Sequence, residues 1–206
     1  SYDYLNSLLL YNKTIKQRNS ILKNNNSLFD KEKELEIWDK PFCVNGLNLW
    51  QKREIFMNSF IDLFLKTVAN FDKNLLLNVK YDLKIKTNKD FLKKIKENRH
   101  IDLVKKYTSF GPHKDDVVFL WNNQKIKNHG SQGEHKIFLA LLKITEYIFL
   151  SNETKKTPIF LIDDMFANLD KERSKKLLRF IEKIKNDNKE KSQTIITTTN
   201  IINIKE

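Results

Sequence analysis

Two adjacent acids at the end of an apolar run are the residues in this sequence best suited to do chemistry. Residues 158–162 are apolar, and Asp163 and Asp164 follow them directly. The run predicts a buried parallel strand, and open α/β sheets bind ligands beyond the carboxyl ends of such strands. Two carboxylates there suit Mg²⁺ and an attacking water beside a nucleotide phosphate. Because an isolated Asp-Asp pair is also typical of an ordinary turn, the interpretation needs support from elsewhere.

That support comes from the segment 130–134, Gly-Ser-Gln-Gly-Glu, which opens a predicted helix. Apolar residues follow it with helical spacing, at Ile137, Ala140, Leu141, Ile144 and Ile148. The spacing predicts Ser131 as the N-cap and Gly133 as a site where other backbone approaches closely. Helix starts bind phosphate readily, because their N–H groups are unpaired and carry partial positive charge. Alone, the segment is equally typical of an ordinary capped helix.

The elements that must position these residues alternate along the second half of the chain. The predicted order is helix Gln132–Leu150, strand Ile159–Ile162, helix Lys171–Lys185 and strand Thr194–Thr198. Such alternation indicates a parallel α/β sheet. Upstream, Val117–Trp121 and the region around Lys125 read as strands joined by a hairpin turn at Asn122-Asn123.

The first third of the sequence reads as helical. An approximate stripe is formed by Leu5, Leu8, Leu9, Ile15 and Leu22. Pro41 and Gly46 are expected to interrupt a second segment, and a clean amphipathic helix follows over Met57–Phe71. Alternation from Leu77 to Ile85 then predicts a half-covered strand, and a charged helical piece is expected over residues 90–106.

Composition limits the classes of function. The 38 basic and 26 acidic residues give a net charge of +12, which favours polyanionic partners such as nucleic acid or reflects only a Lys-rich solvated surface. The single cysteine, Cys43, excludes an intramolecular disulfide and a cysteine-rich metal site. No apolar stretch is long enough to span a bilayer, and the cytoplasm is the expected location.

Taken together, the motifs resemble those of ABC-type ATPases. Segment 130–133 resembles the signature motif, 159–164 the Walker B strand, and Ala167-Asn168-Leu169-Asp170 the D-loop. Three further segments are similar to the RecF DNA replication and repair family: 107–116 to its Gly-Pro-His-Arg-Asp-Asp block, 11–23 to its arm helix, and 195–199 to its last core strand. The resemblance runs from about Tyr4 to Thr199. It implies the α/β fold of the C-terminal lobe of an ABC-type ATPase (residues 73–206) with a helical arm (residues 1–72).

In this family two protomers enclose two ATP molecules, so each site combines residues from both. The resemblance implies that Ser131, Gln132 and Gly133 contact the γ-phosphate of the nucleotide bound to the opposing protomer. The implied cofactors are therefore ATP and Mg²⁺, and the implied assembly is an ATP-dependent homodimer.

The acids have implied roles of their own. Asp163 would hold Mg²⁺, Asp164 would stand in the general-base position, and Asp170 would lie at the protomer contact. Many ABC enzymes carry Glu at the position of Asp164, so the shorter side chain fits a slow ATPase. No histidine matches the family's switch position within 196–200, where a threonine hydroxyl is the expected substitute.

The Walker A motif is missing from this sequence. None of its four glycines belongs to a Gly-x-x-x-x-Gly-Lys-Ser/Thr motif. The chain is therefore expected to be the C-terminal portion of a longer protein and to be inactive as an ATPase alone.

The family resemblance implies an ATP-dependent DNA clamp for recombinational repair and replication restart at single-strand gaps. It would act in the SOS response with RecR and RecO as partners and without membrane association. DNA phosphates would be contacted by basic residues of the arm, namely Lys13, Lys16, Arg18 and Lys23. The main alternative is a non-catalytic DNA-binding or interaction fragment.

Two residues of the 107–116 block raise separate hypotheses. His113 is tempting as a catalytic base, but we interpret it as structural: Gly111-Pro112 is expected to form a turn, and the polar run is expected to hold the sheet edge beside the signature-like segment. A weaker alternative function is a metal-dependent nuclease or phosphatase that uses Asp115 with Asp163 and Asp164.

Overall fold

The computed structural model describes residues 2–83, 85–164, 166, 169–187 and 193–198. The helices are α1 (Tyr2–Lys23), α2 (Leu28–Phe71), α3 (Asn88–Glu97), α4 (Arg99–Lys105), α5 (Ile126–His129), α6 (Gln132–Thr154) and α7 (Lys171–Asp187). The strands are β1 (Leu77–Lys80), β2 (Val118–Trp121), β3 (Gln124–Lys125), β4 (Phe160–Asp163) and β5 (Thr194–Thr197). A short 3₁₀ turn covers Pro112–Lys114.

The chain divides into two compact units. The first comprises residues 1–57 and 81–117, and the second comprises residues 58–80 and 118–206. The long helix α2 contributes to both units, because it continues past residue 57. The proposed division into an arm and an ATPase lobe at residue 72 stays a prediction.

The buried face of α1 matches the predicted apolar stripe only in part. Leu5 and Leu9 are mainly exposed, at 51% and 59% of their possible surface. The buried positions are Tyr11, Thr14, Arg18, Ile21 and Leu22, and Leu8 and Ile15 of the predicted stripe pack partly buried against the core. Three of these side chains are polar, and each is hydrogen-bonded, so burial of the face does not require an unbroken row of apolar residues.

Helix α2 runs without interruption through both residues that were expected to break it. Pro41 lies inside the helix, where it removes one backbone hydrogen bond and costs about 3 kcal/mol. Neighbouring residues Phe42, Leu49 and Trp50 are almost fully buried, and their packing offsets that cost. Gly46 has a packing role, because a Cβ there would lie 2.6 Å from Cε1 of Phe91.

A three-stranded antiparallel sheet in the second unit has the order β1-β2-β3. The predicted hairpin turn between β2 and β3 is confirmed: Asn122 and Asn123 both have positive φ, at 49° and 63°. Two successive left-handed residues match the twist of the flanking strands, and asparagine tolerates that conformation. The predicted strand over residues 77–85 is shorter than expected, since β1 ends at Lys80.

Strands β4 and β5 pair in parallel, as the alternation predicted, with Phe160 opposite Thr194 and Asp163 opposite Thr197. Beneath them, Ile162 is 1% exposed, and helices α6 and α7 supply further core side chains, namely Ile137, Leu141, Ile144, Leu177 and Ile181. On the other face Leu161 and Ile195 remain 67% and 47% exposed. The register places Asp163 and Thr197 side by side at the carboxyl end of the pair.

Candidate functional site

The start of α6 carries the capping geometry that its sequence predicts. The Ser131 hydroxyl accepts a hydrogen bond from the Glu134 N–H at 3.2 Å, and a Glu134 carboxylate oxygen accepts one from the Ser131 N–H at 2.8 Å. This reciprocal capping box confirms Ser131 as the N-cap. It leaves the N–H groups of Gln132 and Gly133 without a hydrogen-bond partner among the described residues. Ser131 and Gln132 are exposed, so this end of the helix can receive an anionic oxygen.

Gly133 is tightly packed, but the neighbours are side chains and not the expected backbone. A Cβ on Gly133 would lie 3.1 Å from a guanidinium nitrogen of Arg173 and 3.9 Å from a methyl carbon of Leu169. The prediction that backbone approaches Gly133 closely was therefore wrong, because the nearest atoms belong to the side chains of Arg173 and Leu169. A side chain at residue 133 would require the guanidinium of Arg173, in the first turn of α7, to shift by a few tenths of an ångström, so the glycine lets the Arg173 side chain lie close to the start of α6.

Asp170 caps helix α7. Its carboxylate accepts a hydrogen bond from the Arg173 N–H at 2.8 Å, and the Arg173 Nε lies 3.4 Å from its second oxygen. Asp170 is exposed, and its role at a protomer contact stays a prediction. Of the other residues in the D-loop-like segment, Leu169 is buried, whereas Ala167 and Asn168 lie outside the described residues.

The two acids at the end of β4 have different surroundings. The Thr197 hydroxyl donates a hydrogen bond to one carboxylate oxygen of Asp163, which is exposed. The other carboxylate oxygen of Asp163 has no hydrogen-bond partner within the described part of the chain. Asp164 is half-buried and has a left-handed backbone with φ of 43°.

Backbone hydrogen bonds hold Asp164 from two elements. Its N–H donates to both the carbonyl and the hydroxyl oxygen of Thr197, each at 3.2 Å. Its carbonyl accepts a hydrogen bond from the Lys136 ammonium of α6 at 2.9 Å. Sequence reasoning missed Lys136, because nothing in its spacing marks a contact with a residue 28 positions away.

The two acids at the end of β4, Asp163 and Asp164, fit Mg²⁺ only in combination with a nucleotide. Among the described residues, no group of three or more His, Cys, Asp or Glu side chains is arranged to hold a metal ion. Mg²⁺ usually takes one or two carboxylates from a protein and completes its shell with phosphate oxygens and water. The open oxygen of Asp163 meets that requirement as a single ligand.

Thr197 is one of the threonines expected to substitute for a switch histidine, and its hydroxyl contacts both acids. Its hydroxyl donates to Asp163 and accepts from the Asp164 N–H, so its proton is already used. The hydroxyl group therefore links the two acids, and the role of a phosphate sensor stays a prediction. Thr199 and Asn200, the last residues considered for that position, lie outside the described residues.

His113 has a structural role, as predicted, but its partners are Tyr11 of α1 and Thr108 and not the expected sheet edge. Its Nε2 lies 2.8 Å from the Thr108 carbonyl, which only accepts, so Nε2 carries the proton. Nδ1 then accepts the hydrogen bond of the Tyr11 hydroxyl at 2.7 Å. Burial lowers the pKa of His113, and burial raises the pKa of Tyr11. With both ring nitrogens occupied, the imidazole holds α1 against the 107–116 block within the first unit.

The Gly111-Pro112 turn depends on glycine. Gly111 has φ of 142°, and a Cβ there would lie 2.5 Å from the Tyr11 hydroxyl oxygen. Both the left-handed backbone and the contact with Tyr11 exclude a larger residue.

Asp115 is a hydrogen-bonding centre for the first unit. Its carboxylate accepts hydrogen bonds from Trp50 Nε1 at 2.8 Å, Tyr81 at 2.9 Å and Arg53 at 3.0 Å. These three donors engage Asp115 within the first unit, and among the described residues no group of three or more His, Cys, Asp or Glu side chains is arranged to hold a metal ion. The hypothesis of a nuclease or phosphatase built on Asp115 therefore loses its support.

Arg18 cannot contact DNA, contrary to expectation. Its side chain is fully buried, forms an ion pair with Asp39 and lies 3.8 Å from Asp102. Arg99 pairs with the second oxygen of Asp39. Sequence reasoning had a usable signal: Arg18 follows Tyr11 by seven residues and precedes Leu22 by four, so it shares their face of α1.

The three lysines of α1 fit the predicted contact with DNA better than Arg18 does. Lys13, Lys16 and Lys23 are exposed on α1 and have no ion-pair partner among the described residues.

Within the described range, none of the helices is both long enough and apolar enough to cross a membrane.

The sequence matches no family model, but curated relatives cover most of it. The DNA replication and repair protein RecF of Azobacteroides pseudotrichonymphae genomovar. CFP2 is 35% identical over 199 residues, which are 96% of this chain and 52% of that protein. The RecF protein of Lachnoclostridium phytofermentans is 34% identical over 202 residues, again 96% of this chain and 53% of that protein. The chain thus spans about half the length of the curated relatives it matches.

Solved structures agree with the sequence comparison. A structure of the recombination mediator protein RecF-ATP in the RecFOR pathway gives a TM-score of 0.76 at 24% identity, over 97% of this chain and 54% of that one. The corresponding RecF-ATPrS structure gives a TM-score of 0.74 at 25% identity, with the same coverage. The predicted fold class, the α/β C-terminal lobe of an ABC-type ATPase with helical additions, is thereby confirmed. The chain belongs to the RecF DNA replication and repair family and corresponds to its C-terminal portion.

Proposed function

We propose that this chain supplies the signature and Walker B parts of a composite ATP site in a RecF-type, DNA-binding ATPase. One observation carries the proposal: the open amides after Ser131 begin a helix that also reaches the acids at the end of β4. The ATP-bound states of solved relatives support ATP as the ligand. The remaining phosphate-binding elements would come from a Walker A lobe, which this sequence does not contain.

Within that site the helix start would face the nucleotide of the opposing protomer. The Ser131 hydroxyl would donate a hydrogen bond to a γ-phosphate oxygen, and the N–H groups of Gln132 and Gly133 would donate to its neighbours. Fixed donors of this kind stabilise the charge that develops on the transferred phosphoryl group, and they need no reorganisation during the reaction.

The acids would act on the nucleotide of their own protomer. Mg²⁺, held by the open oxygen of Asp163, would neutralise charge on the β- and γ-phosphates. Asp164 would accept a proton from water as the water oxygen bonds to the γ-phosphorus and the bond to the ADP oxygen breaks. Products would be ADP and inorganic phosphate, and loss of the γ-phosphate would release the dimer.

The first test introduces Arg in place of Ser131 in a full-length protein that contains this chain. We expect ATP binding to persist, because the protomer's own nucleotide is held elsewhere. Dimerisation with ATP should weaken by more than about 100-fold, since a bulky charge would be forced into the interface. Sedimentation velocity with and without ATP measures the dimer, and a fluorescent ATP analogue measures binding.

Asn152→Arg is the matched control for this test. It adds the same charge at the exposed far end of α6, and it should leave the dimer unchanged. Unchanged dimerisation in Ser131→Arg would remove the signature role from this segment.

We also propose that duplex DNA near single-strand gaps binds along α1. The exposed ammonium groups of Lys13, Lys16 and Lys23 would contact phosphates without reading sequence. The net charge of +12 supports a polyanionic partner, and RecR- and RecO-type mediators are the expected protein partners because the solved relatives belong to the RecFOR pathway.

Replacing all three α1 lysines by Gln should weaken DNA binding equally for all sequences. Each lost phosphate contact lowers the slope of log K against log salt by about 0.9, so the triple variant should lose up to about three units of slope. Fluorescence anisotropy over a salt series provides the measurement. A triple Gln variant at Lys143, Lys155 and Lys156, also exposed, is the charge-matched control. An equal loss in both variants would show that only net charge matters.

The alternative function is a DNA-binding or interaction fragment without catalysis, which the missing Walker A motif favours for the chain taken alone. Tight ATP binding by the 206-residue chain would contradict the composite site, whereas dimerisation with ATP that is unchanged in Ser131→Arg would favour the non-catalytic alternative.

A further inference from the structure

The contact between Lys136 and the backbone of Asp164 joins two motifs of the proposed site. Lys136 lies five residues after the N-cap Ser131, and its ammonium donates to the Asp164 carbonyl at 2.9 Å. A hydrogen bond from an ammonium group is about twice as strong as one between neutral groups. Because Lys136 is half-buried, the bond is also partly shielded from water.

Residue 164 needs such restraint because its backbone is not in a favoured conformation. A left-handed residue other than glycine costs about 1–2 kcal/mol, although aspartate tolerates the region better than most. Thr197 holds the N–H side of Asp164 and Lys136 holds the carbonyl side. The backbone conformation at residue 164 sets the direction in which its carboxylate leaves the chain, so the two contacts together fix that direction.

We propose that Lys136 is a positioning residue for the acids of the ATP site. The inference rests on the proposed function, and it assigns Lys136 no contact with the nucleotide. By holding the carbonyl of residue 164, Lys136 keeps the Asp164 carboxylate aimed where it can accept a proton from water. Without it, the residue can relax toward negative φ and turn the carboxylate away.

In the proposed dimer the same bond would provide a physical link between the two ATP sites. The start of α6 would contact the partner's nucleotide, whereas the acids serve the protomer's own. Lys136 connects these two regions within one chain. A shift of α6 when the opposing γ-phosphate binds would therefore change the support of Asp164.

The test compares Lys136→Met with Lys136→Arg in the full-length protein. Met keeps most of the side-chain volume but cannot donate, so kcat should fall about 10- to 100-fold while the affinity for ATP stays within about 2-fold. Arg retains a donor group and should recover most of the lost kcat. Lys143→Met removes a lysine from the same helix at an exposed position and should leave kcat unchanged.

A second readout does not depend on activity. In the 206-residue chain, hydrogen exchange at the Asp164 amide should accelerate about 10-fold in Lys136→Met, because the turn opens more often. Exchange at the buried residues of α6, such as Leu141, should stay unchanged. If Lys136→Met does not fold, Lys136→Gln replaces it, since its amide is too short to reach the same carbonyl and the same loss is expected.

The outcomes separate the inference from the function on which it rests. A normal kcat and normal Asp164 exchange in Lys136→Met, together with loss of turnover in Asp163→Asn, would overturn the inference alone. Normal turnover in both variants would overturn the proposed function. A loss that Lys136→Arg does not recover, accompanied by faster exchange throughout α6, would show a structural role only.

Discussion

Asp163→Asn in the full-length protein should reduce the rate of ATP hydrolysis by at least about 100-fold. The amide removes the negative charge that would hold Mg²⁺, but it keeps an oxygen that can accept the hydrogen bond from Thr197. The fold around β4 should therefore survive while the metal loses its protein ligand. Phosphate release at saturating ATP, measured over a range of Mg²⁺ concentrations, checks the prediction.

The control for Asp163→Asn is Asp62→Asn, which makes the same change on an exposed part of α2. Its turnover should match the unaltered protein. Normal turnover in Asp163→Asn itself would remove Asp163 from the site, whatever the behaviour of the signature segment.

Asp39→Ala should destabilise the 206-residue chain by about 3–5 kcal/mol. Asp39 is the carboxylate between Arg18 and Arg99, and Arg18 is fully buried. Among the described residues, removal of Asp39 leaves the Arg18 charge with the more distant carboxylate of Asp102, 3.8 Å away, as its one remaining acidic neighbour. Urea denaturation followed by circular dichroism gives the free energy of unfolding for each variant.

A double variant tests whether the cost arises from the unpaired charge. Arg18→Met combined with Asp39→Leu removes both charges and fills the space with apolar atoms, so it should lose less stability than Asp39→Ala alone. Asp62→Ala, at an exposed position, should change stability by less than about 0.5 kcal/mol. Equal stability of Asp39→Ala and the unaltered chain would contradict the assignment of a buried ion pair.

Features set by short stretches of sequence could be predicted well. The Ser131 cap depends on residues 131–134, and the Asn122-Asn123 turn depends on two residues that tolerate positive φ. The parallel pairing of β4 with β5 followed from the alternation of helices and strands. In each case local chemistry and chain order decide the structure, so no knowledge of distant contacts was required.

Features decided by distant contacts could not be predicted in the same way. Pro41 and Gly46 indicate a break by local propensity, yet packing against residues such as Phe91 keeps α2 continuous. The spacing of Arg18 from Leu22 marks its face of α1, but its ion-pair partner Asp39 lies 21 residues away and cannot be identified from that spacing. The role of Lys136 likewise depends on its hydrogen bond to the carbonyl of Asp164, 28 residues away in the sequence. Sequence therefore located the motifs of the candidate site but not the residues that hold them in place.

The uncovered side of the β4–β5 pair affects how the 206-residue chain behaves in solution. Parallel strands normally have both faces covered, but here Ile159, Leu161 and Ile195 are 60%, 67% and 47% exposed. An apolar strip beside open strand edges favours sheet-to-sheet association between molecules. The positive net charge opposes that association through repulsion, and salt screens the repulsion. Colloidal solubility of the isolated chain should therefore fall as ionic strength rises, even where its folded structure is unchanged.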